Sequence, residues 1–118
     1  MAVTSDEVRA VALSLPRAYE ALVRDRVKFR VGRIVFLAFS PDEQSMGIGF
    51  PKEQRLDAIA AEPDKFHLPR PSDMRYNWIR VHLDAIDHDE MHELVVEAWC
   101  LCVSKRTAAE YFEAQQQP

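Results

Sequence analysis

Hydrophobic and polar residues alternate in two segments of the chain, and this alternation predicts strands of a β-sheet. The apolar members are Val27, Phe29 and Val31 in the first segment, and Ile79, Val81 and Leu83 in the second. Successive side chains of a strand point to opposite faces, so each segment predicts one apolar face and one polar face. The apolar faces are expected to form the core, together with Ile34, Phe36, Leu94, Val95 and Ala98.

Helical patterns frame these strands. Thr4 with Glu7 matches a capping box at the start of a helix, and Asp87 with Glu90 matches a second one. Apolar residues at helical spacing follow both boxes. A further helix is predicted over 52–61, with a buried stripe formed by Leu56, Ile59 and Ala60.

Gly32 and Arg33 are typical of a two-residue hairpin loop, because glycine at the first central position suits a type II′ turn. The simple register of this hairpin sets Val31 opposite Ile34, Phe29 opposite Phe36 and Lys28 beside Leu37. The whole pattern predicts one α+β domain over residues 1–118, with a frayed tail from about 113. Its two layers are a mainly antiparallel five-stranded sheet and helices on one face, in the order α-β(3)-α-β(2)-α.

Basic side chains form a ladder on the polar face of the first alternating segment. The ladder consists of Arg24, Arg26, Lys28 and Arg30. Same-face neighbours on a strand lie about 7 Å apart, close to twice the roughly 3.4 Å repeat of phosphates along one DNA strand. The ladder therefore suits a polyanion, with Arg33, Trp78 and Arg80 as further candidate contacts. Alternatively, the basic stems only cover apolar neighbours while their charged ends stay in water.

Composition indicates an ordinary globular protein. The chain has 118 residues, of which 47% are hydrophobic and 29% are charged. No apolar run approaches the roughly 20 residues that span a bilayer, and no signal-peptide pattern opens the chain. We therefore expect a cytoplasmic protein without a membrane partner, in which Cys100 and Cys102 are buried reduced thiols.

The formal net charge of −4 argues against a general nucleic-acid coat protein, but the charges are unevenly distributed. Six basic residues lie between 17 and 33, against two acids. Six acids and no lysine or arginine lie between 84 and 97. A protein with such opposite poles can present a positive face.

The sequence holds few candidates for catalysis or metal binding. His88 and His92 are four residues apart on a predicted helix, but the segment matches neither H-E-x-x-H nor H-x-x-E-H. No P-loop, dinucleotide fingerprint or G-x-S-x-G motif is present. We therefore predict no metal, no cofactor and no catalytic residues.

Several segments together resemble the MmcQ/YjbR family. They are the hairpin over 28–36, the helix end over 13–16, the strand over 78–84, and the helix residues Asp89, Glu90, Leu94, Ala98 and Trp99 with Lys105 and Arg106. The resemblance spans roughly residues 7–112. It implies the α-β(3)-α-β(2)-α fold and a DNA-binding protein with a double-wing likeness, and it supplies no catalytic residues. The loop over 69–73 departs from many members.

Two functions follow as hypotheses. The first is a small non-enzymatic DNA-binding protein that contacts phosphates through the basic sheet face. The alternative is an adaptor that binds another protein or a small ligand through the same apolar and basic face. The two differ in the side chains on which binding depends: the arginines in the first, and Leu37 or Trp78 in the second.

Overall fold

An antiparallel sheet of six strands organises residues 2–116, the part of the chain that the computed structural model describes. The strands are β1 (Ala18–Val23), β2 (Arg26–Val31), β3 (Ile34–Phe39), β4 (Ser45–Gly49), β5 (Phe66–His67) and β6 (Trp78–His82). The helices are α1 (Ser5–Ser14), α2 (Lys52–Ala61), α3 (His88–Cys100) and α4 (Lys105–Gln115). The sheet order is β1-β2-β3-β4-β6-β5.

Helices α1 and α3 pack together on one face of the sheet, which we call the inner face. The largest fully buried side chains there include Phe29, Phe39 and Trp99. The rings of Phe29 and Phe39 meet edge to face with centroids 5.6 Å apart. Trp99 Nε1 donates to the Pro16 carbonyl at 3.0 Å, which ties α3 to the end of α1. The predicted α+β fold with helices on one sheet face is thus confirmed.

The sheet has one strand more than predicted, because β1 precedes the basic segment and forms an edge strand beside β2. The turn between them is Arg24-Asp25, and both residues have positive φ, 52° and 65°. Two positive φ values define a type I′ turn, which Asn-Gly or Asp-Gly usually signals. Because Arg24-Asp25 contains no glycine, this turn was not predicted.

A bulge corrects the predicted register of the β2–β3 hairpin. Val31 faces Ile34 as expected, and Gly32 has φ +61°. Phe29, however, pairs with Leu37 and Lys28 with Ala38, because β3 has one extra residue after Val35. Two consecutive side chains of β3, those of Phe36 and Leu37, are consequently fully buried.

Most of the predicted core is buried, with three differences. Phe29, Phe36, Ile79, Val81, Val95 and Ala98 are fully buried, and Leu94 is nearly so. Val27 and Val31 are half-buried against the core, since β2 lies near the sheet edge. Ile34, the first residue after the turn, is 53% exposed and does not belong to the core.

Both predicted helix starts are present, but only the first has the complete capping box. The Thr4 side chain accepts from Glu7 N–H, and the Glu7 carboxylate accepts from Thr4 N–H. Asp87 caps α3 by accepting from Glu90 N–H at 2.9 Å. The Glu90 carboxylate instead binds Lys65 Nζ at 2.8 and 2.9 Å, which links α3 to the segment before β5.

Helix α2 has the predicted bounds and a different buried face. Leu56 is 70% exposed and Ala60 is exposed, whereas Arg55 is only 6% exposed. The Arg55 guanidinium donates to the carbonyls of Met74, Tyr76 and Trp78 at 2.9, 3.2 and 3.0 Å. Of the predicted stripe, Ile59 is half-buried and packs against the core beside Ala58, whereas Leu56 and Ala60 were wrong. Arg55, with its three backbone acceptors, is the most buried residue of this helix.

At the C-terminus, α4 continues to Gln115. We predicted a frayed tail from about residue 113. The last two residues of that tail, 117 and 118, lie outside the described chain. Among the helices of residues 2–116, none combines the length and the apolar character that crossing a bilayer requires.

Replacement of Arg55 tests whether its hydrogen bonds hold the 74–78 segment. We expect Arg55→Met to lower the free energy of unfolding by about 1–3 kcal/mol, because it leaves buried carbonyls without donors. Urea denaturation measures this change. The control is Leu56→Ala on the same helix, which we expect to change stability by less than about 0.5 kcal/mol because the side chain is exposed. A larger loss of stability for Leu56→Ala than for Arg55→Met would show that Leu56 belongs to a buried apolar stripe.

Candidate functional site

Small residues and basic residues share the outer face of the sheet, opposite α1 and α3. The strand registers place Lys28, Ala38, Gly47 and Arg80 side by side across β2, β3, β4 and β6. Strands lie about 4.8 Å apart, so the backbones of Lys28 and Arg80 are separated by about 14 Å. Between these two backbones lie only the methyl group of Ala38 and the hydrogen atom of Gly47. We call this recess, with its basic walls and small floor residues, the basic trough.

Two adjoining depressions form the trough. The larger has a volume of about 560 Å³ and the smaller about 320 Å³. Arg26, Ala38, Arg70, Asp73 and Trp78 line both of them. The loop that carries Arg70 and Asp73 therefore covers part of the sheet face, and it makes a concave site where a flat strand face was expected.

Positive charge dominates the lining of both depressions. The basic residues are Arg26, Lys28, Arg33, Arg70 and Arg80, and the one acidic residue is Asp73. Arg70 Nε lies 3.4 Å from Asp73 Oδ2. The negative charge of Asp73 thus mainly offsets the positive charge of Arg70. The basic side chains of the sheet remain available to an anion.

The predicted ladder is shorter than the sequence suggested. Arg24 lies in the β1–β2 turn rather than in a strand, and it lines neither depression. Arg26, Lys28 and Arg30 do alternate along β2, but Arg30 also lines neither depression. Arg33, in the following turn, is exposed and lines the larger depression.

Arg26 has a structural partner as well as a place in the trough. Its Nε and Nη2 atoms donate to the Phe39 carbonyl at 3.3 and 3.0 Å. Removal of the Arg26 side chain would therefore leave the Phe39 carbonyl without these donors as well as alter the trough. The side chains of Lys28 and Arg80 make no hydrogen bond or ion pair to the described part of the chain, so these residues are better probes of binding.

Lys28 occupies an unfavourable electrostatic position. Burial lowers the pKa of Lys28, and repulsion by Arg26, Arg30 and Arg70 lowers it further, while Asp73 opposes the shift. Arg30 has a buried unsatisfied donor, because its Nε has no hydrogen-bond acceptor among residues 2–116. An anion placed beside Lys28 would relieve this repulsion.

Trp78 and Arg80 project from β6 onto the outer face, as the alternation predicted. The half-buried Trp78 indole leans over Gly47: an ideal Cβ on Gly47 would lie 2.7 Å from Cε2 and 2.8 Å from Cζ2 of the ring. Such distances are too short for any Cβ, so the indole occupies the space of a side chain at position 47. The glycine is thus required for the position of Trp78.

Sequence reasoning missed the loop residues Arg70 and Asp73 and the buried Arg55. The loop was recognised from its prolines, but nothing local indicated that it folds over the sheet. A short 3-10 helix, Pro71–Asp73, shapes it, and Arg55 fixes the segment that follows through three carbonyls. A lone arginine on a predicted helix was the only available signal.

Two histidines, His67 and His82, lie in contact beside Arg80 at one end of the basic trough. His67 on β5 pairs with Arg80, and its ring centroid lies 4.2 Å from that of His82. Burial lowers the pKa of His67, and repulsion by His82 and Arg80 lowers it further, against a smaller opposing effect of Asp64. The buried Nε2 of His67 has no hydrogen-bond partner in the described chain.

The remaining candidates are two exposed histidines away from the trough and two thiols of low reactivity. His88 and His92 are exposed on the first turns of α3, and residues 2–116 bring together no group of three metal-ligating side chains there or elsewhere. The absence of a physiological metal stays a prediction. Cys100 and Cys102 are half-buried free thiols, and burial raises the pKa of both.

The fold and the trough together define a class: a two-layer α+β domain with a basic recess on the sheet face away from its main helices. The sequence matches the model of the YjbR family over residues 13–101. The chain therefore belongs to the YjbR family. A search of curated proteins finds no match.

A solved structure has a similar fold. The crystal structure of the Deinococcus radiodurans protein DR2400, with domain DUF419, is similar to this chain with a TM-score of 0.75 and 20% sequence identity. The match covers 91% of this chain and 86% of that one. At this identity the likeness shows the fold alone.

Enlarging Gly47 tests the packing of Trp78. We expect Gly47→Ala to displace the indole from the sheet, because the new Cβ would overlap the ring, and the tryptophan emission should shift to longer wavelength. Trp99 is fully buried and stays a constant background. The control is Gly49→Ala on the same strand, whose Cβ would meet the Ala98 carbonyl oxygen at an ordinary 3.4 Å. Equal spectra for the two variants would contradict the packing described.

Acidification should weaken the β5–β6 edge. Because the pKa of His67 is lowered in the folded chain, the unfolded chain binds its proton more readily. This contribution to stability is complete above the ordinary histidine pKa of about 6.5 and is lost as the pH falls through the lower folded value. We expect His67→Gln to reduce the acid-induced fall of the urea midpoint, whereas His92→Gln, at an exposed site, should leave it unchanged. Identical pH profiles for His67→Gln and the parent chain would refute this coupling.

Proposed function

We propose that this YjbR-family chain is a cytoplasmic, non-enzymatic nucleic-acid-binding protein that holds DNA through phosphate contacts in the basic trough. The observation that carries the proposal is the clustering of five basic side chains against one carboxylate, in a chain whose net charge is −4. Such a concentration of one sign on one face attracts a polyanion even when the whole protein repels it.

The chemistry of the basic groups suits phosphate. Four of the five are arginines, and the planar guanidinium group can bind phosphate oxygens through two parallel hydrogen bonds. Lys28 adds a compact charge that like charges already destabilise. Phosphate would neutralise these groups without requiring any change of the sheet.

The positions of the acidic residues favour one orientation of the protein relative to a nucleic acid. Exposed acids on α3 include Asp89, Glu93 and Glu97, and α3 packs on the inner face of the sheet. The acidic and basic surfaces therefore lie on opposite sides of the domain. Long-range electrostatics would turn the trough towards a polyanion during approach.

The lining of the trough favours binding over catalysis. Its carboxylate, Asp73, is paired with Arg70, and its thiol, Cys102, has a pKa raised by burial, which disfavours the nucleophilic thiolate. The half-buried thiols also suit a reducing compartment, in support of the cytoplasm.

The adaptor hypothesis keeps one specific observation in its favour. Val35, Ala38 and Leu101 give the larger depression an apolar part, which could hold a ligand or a side chain of a protein partner. Leu37, however, faces the core beside Phe29 and cannot contact a partner. Of the two residues expected to distinguish this hypothesis, only Trp78 remains useful.

The salt dependence of DNA binding tests the proposal. We expect the affinity for a short duplex to fall with salt, because bound phosphates release counterions. Lys28→Gln and Arg80→Gln should each reduce the magnitude of the log–log slope by about 0.9. Fluorescence anisotropy with a labelled duplex at several salt concentrations measures the slopes.

The matched control is Arg106→Gln, which removes one charge from an exposed position on α4 without changing the trough. Its slope should equal that of the parent chain. Absence of duplex and single-strand binding at low ionic strength would refute the DNA proposal. Equal slope changes for Arg106→Gln and Lys28→Gln would show that the trough is not the binding surface.

A further inference from the structure

We infer that the larger depression of the trough is a subsite for an unpaired nucleotide, with the base against Trp78 and the phosphate near Lys28. The inference rests on the proposed function, because it names the form of nucleic acid that the same face would take. It arises from the concave shape of the site, which a ladder on a flat strand does not require.

The shape of the trough suits a single nucleotide better than a double helix. A depression of about 560 Å³ falls within the range of roughly 300–1,000 Å³ that small-molecule sites occupy. The Arg70 and Asp73 loop stands over the sheet, so Lys28 and Trp78 line a recess rather than a ridge. A convex duplex would meet the rim first, whereas one extruded or single-stranded nucleotide can enter.

The lining also divides into the two parts that a nucleotide needs. Trp78, Val35 and Leu101 supply aromatic and apolar contacts, and Arg26, Lys28 and Arg70 supply positive charge. Bases stack on aromatic side chains in proteins that bind single strands, while basic groups follow the backbone. Both chemistries converge in one cavity here.

Hydrogen bonds and packing within the chain determine the shape of the subsite. Arg55 holds the carbonyls of Met74, Tyr76 and Trp78, and Gly47 leaves room for the indole. Trp78 is therefore positioned from the backbone side and from the sheet side. A positioned aromatic ring loses little freedom when a base stacks on it, which favours affinity.

Binding of three probes tests the inference: an oligothymidylate of about eight nucleotides, a hairpin duplex, and free thymidine monophosphate. We expect the single strand to bind more tightly than the duplex and to quench Trp78 emission. Trp78→Leu should weaken single-strand binding by about 5- to 150-fold, while Trp78→Phe should retain most of it. Phe112→Leu, at an exposed ring on α4, is the control and should have no effect.

The outcomes separate this inference from the proposed function. Equal binding of duplex and single strand, with no effect of Trp78→Leu, would overturn the subsite and leave DNA binding intact. Quenching by thymidine monophosphate without binding of either nucleic acid would support the nucleotide subsite and overturn DNA binding. If Trp78→Leu loses its circular dichroism spectrum, Gly47→Ala provides the same test by displacing the indole, and unchanged single-strand affinity there overturns the subsite.

Discussion

The buried guanidinium group of Arg55, which has no carboxylate partner among residues 2–116, organises the outer face of this protein. Arg55 donates to three carbonyls of one segment, those of Met74, Tyr76 and Trp78. Peptide carbonyls can satisfy the hydrogen-bonding needs of a buried cation, although they do not neutralise it, so the contact is maintained only where all three acceptors are in place. The end of the loop, the start of β6 and helix α2 consequently form one unit, and the recess between loop and sheet has a fixed shape.

The same unit explains why the basic strand does not behave as an isolated ladder. Alternation alone places Arg26, Lys28 and Arg30 on one face, where water would solvate them. The loop brings Arg70 and Asp73 above that face, so that Lys28 loses solvent and gains Arg70 as a further positive neighbour, with Asp73 opposing it. Burial and the like charges of Arg26, Arg30 and Arg70 then lower the pKa of Lys28 together.

Much of the fold followed from periodicity, and the errors lie where periodicity carries no information. The alternation of Ile79 and Val81 with Trp78 and Arg80 assigned both faces of β6, and the caps Thr4 and Asp87 were identified from side-chain chemistry. The bulge in β3, by contrast, depends on packing between strands, and Arg55 is buried because of a segment about twenty residues away. Strand β1 ends at a type I′ turn without glycine. Such features depend on tertiary contacts that a local pattern does not contain.

For the site, residue type was easier to predict than shape. The sequence indicated basic residues and Trp78 on one sheet face, and the structure places most of them there. Concavity comes instead from Ala38 and Gly47 as floor residues and from the loop above them. Burial and three guanidinium groups lower the pKa of Lys28, and an anion beside it would oppose that shift. Shape and charge therefore favour the same class of ligand.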